Sequence, residues 1–223
     1  MSQNTSSAVM QQRKEAKDSL EDFPTPPWAT RALCEWLIKQ GYGLRLMDVR
    51  EPAANRGHMV KPLREYFRNV MPSDAYDYGA GFPVEDYLFG PASFFDMTDW
   101  TVTNPPFRLA EEFIARALER SRIGVAILVR TAFLESEGRE WLFADVAPSY
   151  VLIFAERVVM LKGRLVRTGA PDPANLDEDG KPKKASTATS YTWIIWIKGD
   201  EDTRLRRIEK CRLRLEREGD YPA

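Results

Sequence analysis

The sequence predicts an α/β domain, a mostly parallel sheet with helices packed on both faces. Three observations carry this expectation. Short β-rich runs alternate with stretches whose apolar residues recur at helical spacing, the rhythm of βαβ units. Residues 124–129 (Gly-Val-Ala-Ile-Leu-Val) are apolar throughout, as in a strand covered on both faces. Candidate strands lead into turns rich in proline, small or acidic residues at 51–58, 73–86 and 104–107. An open α/β sheet presents its ligands at such places.

Each element follows in order. Residues 1–21 are polar and mixed in charge, and are expected to be a flexible lead-in. Phe23-Pro24-Thr25-Pro26-Pro27 is a stiff, extended approach to a helix over about 26–40. There Trp28, Ala32, Leu33, Trp36 and Leu37 recur at helical spacing and proline occupies the first turn. Gly41 and Gly43 end it. Residues 44–49 are expected as a strand, 57–68 as a helix despite Pro62, and 69–73 as a second strand. The stretch 76–97, rich in Gly, Pro and aromatics, is expected as loop with a strand near 93–95. A strand over 100–103 stops at Asn104-Pro105-Pro106, and the next helix sets Ala110, Phe113, Ile114 and Ala117 on one face. Then come the apolar strand, a helix around 137–143 and a strand over 150–154. From 162 to 189 prolines and glycines break the rhythm, which predicts a long mobile surface insert. A strand over 191–197 follows. Residues 202–218 read as a charged helix with Leu205, Ile208, Leu213 and Leu215 as a thin apolar stripe. The main domain is therefore expected over 22–198, with 199–223 as a charged helix and tail.

Composition excludes several classes. Among 223 residues, 43% are apolar and 29% charged, the balance of a soluble globular domain. The net charge of −1 gives no global basic field, so a nucleic-acid partner needs a local patch. Two distant cysteines and one histidine exclude a disulfide framework, a multi-cysteine zinc site and a His-pair metal site; no metal is expected. The N-terminus lacks the basic and apolar regions of a signal peptide, and no run is long enough to span a bilayer. A cytoplasmic location without a membrane partner is expected.

Three turns can carry chemistry. In Glu51-Pro52-Ala53-Ala54-Asn55-Arg56-Gly57-His58, small residues let a ligand approach the backbone, and the acid suits a cationic group. An ordinary tight turn reads equally well from this segment alone. Asp74, 23 residues beyond Glu51, is placed to accept ribose hydroxyls, with Asp77 as the competing candidate. His58 reads as a capping or packing residue rather than a catalyst. In Asn104-Pro105-Pro106-Phe107 two prolines remove two amide donors and stiffen the chain. That leaves the Asn104 oxygen and the Pro105 carbonyl as fixed acceptors beside an aromatic plane. Two acceptors match the two N–H donors of an exocyclic amine, whose heterocycle can stack on Phe107.

The order of these features resembles the S-adenosylmethionine-dependent amino-methyltransferases that act on DNA adenine. It is closest to the group whose cofactor motifs precede a catalytic NPPF or NPPY motif, and small phage and prophage members are similar in size. The resemblance covers about 22–197. It implies a class I methyltransferase (Rossmann-like) fold with a doubly wound, mostly parallel seven-stranded sheet and an antiparallel last strand. It also implies S-adenosylmethionine as cofactor and DNA as substrate. By the same resemblance, Pro24, Thr25 and Pro26 close over the methionine portion of the cofactor. Glu51, Ala53 and Gly57 form the cofactor turn, Asp74 meets the ribose, and Asp86 with Tyr87 meets the adenine end. Asn104, Pro105, Pro106 and Phe107 match the catalytic motif. Residues 130–134 and 156–160 match segments that pack near the cofactor or the target base. The family usually has glycine where Asn55 stands; asparagine accepts positive φ, but its side chain is able to crowd the methionine moiety.

Lys162, Arg164 and Arg167 at one end of the insert and Lys183 and Lys184 at the other are the candidate phosphate contacts. Two rival functions use the same turn: methylation of a guanine amine in ribosomal RNA, or of a protein glutamine amide. A third is a nucleic-acid-binding protein impaired in catalysis by Asn55.

Overall fold

The computed structural model describes residues 21–89, 97–135 and 137–222. The lead-in expected over 1–21 lies outside these apart from Glu21, and so does the strand expected near 93–95. The chain runs α1 (Pro27–Lys39), β1 (Asp48–Glu51), α2 (Val60–Tyr66), β2 (Asn69–Pro72), β3 (Thr98–Thr103), α3 (Ala110–Arg120) and β4 (Ser121–Arg130). It continues through α4 (Trp141–Ala144), β5 (Tyr150–Phe154), β6 (Pro171–Leu176), β7 (Pro182–Lys184), β8 (Tyr191–Ile197), β9 (Arg204–Ile208) and α5 (Arg212–Leu215).

Among the described residues, seven strands form one sheet in the order β2-β1-β3-β4-β8-β5-β9. Strand β8 is antiparallel to β4 and β5, and the other pairs are parallel. Alternate residues of β4 divide the core. Ala126 and Leu128 face a cluster with Trp28, Leu33 and Leu63, whereas Val125, Ile127 and Val129 face Ala110, Ile114 and Leu142. Gly124 sits in the middle of this apolar strand because a Cβ there would meet the Trp100 ring at 2.6 Å and the Trp196 carbonyl at 2.8 Å. Helix α1 is buried on nearly all sides, Arg31 included; that guanidinium is held by Glu65, Asp220 and the Leu215 carbonyl.

Several expectations are corrected. Residues 44–46 are a 3-10 turn, not the start of a strand. The antiparallel strand expected last is β8, and one more strand follows it. Residues 202–218 are not one helix: 204–208 pair parallel with β5, and only 212–215 are helical. Of the supposed stripe, Ile208 and Leu215 are buried while Leu205 and Leu213 are exposed, so it spans two elements. The insert at 162–189 is structured. Leu165 and Ala185 are buried, β6 pairs with β7, and Arg164 clamps the buried Asp172 through hydrogen bonds of 2.8 and 3.0 Å. Among the described residues, no helix is long and apolar enough to cross a membrane.

Candidate active site

From β1 the chain goes outward to β2, then returns across β1 to β3, so the sheet order reverses between β1 and β3. Loops leaving the carboxyl ends of those two strands diverge there and leave a crevice. A cleft of about 260 Å³ occupies this position. Of the residues singled out from sequence, it brings together Pro24, Thr25, Ala53, Asn55, His58, Asp74, Asp86, Tyr87, Asn104 and Pro106.

The turn after β1 is fixed by hydrogen bonds at every step. Asn55 adopts φ 50°, the left-handed conformation that asparagine tolerates. Its backbone N–H donates to Asp74 Oδ2 at 2.8 Å, which ties this turn to the one after β2. Its side-chain amide donates to Asp22 Oδ1 at 2.8 Å, and its Oδ1 accepts the Arg56 N–H at 2.6 Å. The side chain that sequence suggested could crowd a ligand is thus bonded to Asp22 and the following turn. Gly57, at φ +84°, lies beyond the cleft, where a Cβ would touch the Phe82 ring at 3.0 Å.

Glu51 does not line the cleft; it is fully buried beneath it. Its Oε1 accepts from the Ala53 N–H at 3.0 Å and from the Thr103 hydroxyl at 2.6 Å. One carboxyl oxygen therefore joins the turn after β1 to the last residue of β3. Burial raises this carboxyl to about 8, and its Oε2 has no hydrogen-bond partner among the described residues. Asp74 is half-buried; burial raises its carboxyl too, while its Oδ1 accepts the Tyr76 N–H at 3.0 Å. Asp86 is exposed and lines the cleft, with Oδ1 accepting the Leu88 and Phe89 N–H groups. Tyr87 packs on Phe113 with ring centroids 5.2 Å apart.

Asn104 follows β3 directly. Its Nδ2 donates to the Phe23 carbonyl and to Thr25 Oγ1, each at 3.0 Å, with Met160 Sδ at 3.8 Å. Both amide hydrogens face acceptors, so a flipped amide would set its oxygen against the Phe23 carbonyl. The orientation is fixed by chemistry. Oδ1 is buried and has no partner among the described residues. The 21–26 segment that receives Asn104 is also pinned by Asp22 to Arg56 at 2.8 Å and by the Asp22 carbonyl to the Gly163 N–H at 2.7 Å.

Other expected residues lie elsewhere. Pro26, Pro105 and Phe107 are outside the cleft lining. Trp28, one of the apolar residues at helical spacing in α1, packs in the core against Phe154 as that spacing implies. Phe107 is half-buried, 5.6 Å from the Phe23 ring and 6.1 Å from Tyr191. Of the five basic candidates, Arg164 is bound to Asp172 and Arg167 pairs with Glu216 at 3.5 Å, while Lys162, Lys183 and Lys184 are exposed. Sequence reasoning missed Tyr76 and Tyr78 as lining residues, and took His58 for packing alone. His58 is half-buried, its pKa is lowered by burial, and it faces both the cleft and an adjoining groove. The proximity of these rings to Asp74 along the chain is the one signal that could have found them.

No protein-family model matches the sequence, and no curated protein matches it. Solved structures do. A protein of Listeria monocytogenes, provisionally described as a class I S-adenosylmethionine-dependent methyltransferase, superposes with TM-score 0.57 at 11% identity. That match covers 89% of this chain and 68% of the other. The methyltransferase subunit of a type I restriction-modification system from Streptococcus thermophilus gives 0.59 at 11% identity, over 84% of this chain and 48% of that one. A protein of Pyrococcus horikoshii, provisionally described as an RNA methyltransferase, gives 0.53 at 16%, over 84% and 93%. The fold is the class I methyltransferase fold. Within this methyltransferase fold the cleft sits at the reversal of strand order, with Asn104 on its β3 side and the Ala53–Asn55 turn on its β1 side.

Proposed function

We propose that this chain is an S-adenosylmethionine-dependent methyltransferase acting on the N6 amine of adenine in DNA. One observation carries the reading. The Asn104 amide spends both hydrogens on the 21–26 segment, which leaves its oxygen buried and without a partner among the described residues, in a residue that lines the cleft. A buried acceptor without a donor is costly unless a ligand supplies one. A neutral exocyclic amine supplies N–H donors, and in this reading the second acceptor is the carbonyl of Pro105, next to Asn104 in the chain though outside the cleft lining. Pro105 and Pro106 carry no N–H to compete for it.

The residues present fit the cofactor. Ala53 and Ala54 let a ligand lie close to the turn, and the Asp74 oxygens, bonded to backbone N–H groups, keep lone pairs for ribose hydroxyls. Asp86 Oδ2 can accept an adenine amine, and Thr25 stands beside Asn104. Bound S-adenosylmethionine supplies an electrophilic methyl group on its sulfonium. Accepting both N–H bonds of the target amine draws its lone pair out of conjugation, and fixed acceptors do so without reorganising. Glu51 fastens the floor of both turns. Phe107 offers a ring for the extruded base, and the surplus proton of the methylated amine leaves to water. No described residue is needed as a general base. Exposed Lys183 and Lys184 are the insert cations proposed to meet DNA phosphates; Arg164 and Arg167 are engaged by carboxylates. Description of one structural neighbour as a restriction-modification methyltransferase subunit is consistent with DNA as substrate, and another neighbour is provisionally described as an RNA methyltransferase.

The test is Asn104→Ala. Methyl transfer is expected to fall about 10²-fold or more, the cost of deleting a polarising group, with a folded protein and retained binding of S-adenosylmethionine by calorimetry. Full activity in that variant would overturn the mechanism.

A further inference from the structure

Arg130 ends β4 and stands in register with Tyr191 of β8. It is exposed, yet its guanidinium carbon lies 4.3 Å from the centre of the Phe107 ring and 5.6 Å from that of Phe23. No carboxylate pairs with it among the described residues. Other arginines differ in this respect: Arg108 pairs with Glu21, Arg164 with Asp172 and Arg167 with Glu216. Arg157 also lacks a carboxylate there, but its guanidinium donates to the Ser190 hydroxyl and the Ala188 carbonyl, next to Tyr191. The cation on Phe107 is therefore held by aromatic faces and by a polar contact with the Tyr191 hydroxyl, whereas the nearby Arg157 is held by hydrogen bonds alone.

We infer that Arg130 covers the stacking face of Phe107 in the substrate-free protein and, when a nucleobase takes that face, moves its guanidinium to a phosphate of the same strand. The inference rests on the nucleic-acid reading above and adds to it a positioning residue for the substrate. A planar, weakly hydrated guanidinium is suited to wait on a ring. Stacking of a base on an aromatic ring outweighs an exposed cation–π contact, so the exchange runs toward the base. The displaced charge is then released beside a polyanion, where a bidentate contact compensates for the lost ring and the lost Tyr191 contact. Arg157 stays in place and supplies a fixed second charge at the same rim.

A placeholder has a signature that a structural residue lacks: its removal shifts affinity for a neutral nucleoside and for a strand in opposite directions. With the cofactor cleft saturated by S-adenosylhomocysteine, adenosine and a fluorescent DNA duplex would be titrated against wild type, Arg130→Gln and Arg130→Lys over a range of salt. Arg130→Gln is expected to bind adenosine at least as tightly as wild type. It should bind duplex several-fold more weakly, with a log K against log[salt] slope shallower by about 0.9, one phosphate contact. Arg130→Lys, which keeps the charge, should retain the slope. Affinities that fall together, or an unchanged slope in Arg130→Gln, would overturn the role of Arg130 while leaving the methyltransferase reading intact. Wild type that binds neither adenosine nor duplex would instead sink the nucleic-acid reading, and this inference with it.

Discussion

Glu51 accepts the Ala53 N–H and the Thr103 hydroxyl on one oxygen, so a single buried carboxyl sets the spacing of the two turns that form the cleft. Its acidity has a consequence. The folded carboxyl is raised by burial to about 8 from an ordinary 4.5, so between those values the folded chain holds a proton that the unfolded chain has released. Stability from this group is complete below the unfolded value and is lost as pH rises through about 8. The thermal midpoint of wild type should therefore fall between pH 5 and pH 8.5, and Glu51→Gln, which cannot titrate, should flatten that fall. An equal decline in both proteins would show that Glu51 does not govern it. Glu51→Ala would leave two donors without an acceptor and cost about 1–3 kcal/mol. The presence of an acid here was legible from sequence, but its burial was not. Strand-end carboxylates look alike until it is known whether the next residues fold over them or away from them.

Strand β9 is the element that sequence patterning misread, and the reason is physical. An edge strand rich in arginine buries little, and here only Ile208 of 204–208 is fully buried. Two-residue alternation is therefore missing, and the three-residue step from Leu205 to Ile208 imitates a helix. Substitutions separate the two descriptions: Ile208→Ala should cost about 2–4 kcal/mol and Leu205→Ala close to nothing, measured by urea unfolding. Comparable losses at both positions would favour a helix presenting one apolar face. The β6–β7 hairpin escaped notice for a related reason. Its anchors are the Arg164–Asp172 pair and the small Ala185, none of which registers as a hydrophobic run. By contrast α1, β4 and β8 were legible because their apolar spacing matches their period. The Asn104 turn was legible because two prolines stop a strand and leave few conformations.

Across the whole molecule, residues after β9 fold back onto α1. Asp220 accepts two hydrogen bonds from the buried Arg31, at 2.6 and 2.8 Å, and one from the Arg217 N–H at 2.8 Å. Burial works against the ionised carboxylate, but the Arg31 guanidinium outweighs it and holds Asp220 below the ordinary 3.8. A depressed acid contributes stability above its unfolded value and loses it as pH falls toward the folded one. Asp220→Asn should therefore lower stability at pH 7 by about 3 kcal/mol, since it leaves a buried guanidinium short of charge. The deficit should shrink below pH 4, where wild type loses the same charge. A constant deficit at all pH values would place the cost in packing instead.

The same architecture sets Asn104 and the Ala53–Asn55 turn around one cleft at the reversal of strand order. Whether that juxtaposition methylates adenine can be read from one product. DNA incubated with the protein and methyl-labelled S-adenosylmethionine would be digested to nucleosides and separated. The expected label is in N6-methyldeoxyadenosine and is absent with Asn104→Ala. Label in a different nucleoside, or DNA that stays unlabelled while RNA or protein is modified, would contradict adenine in DNA as the target.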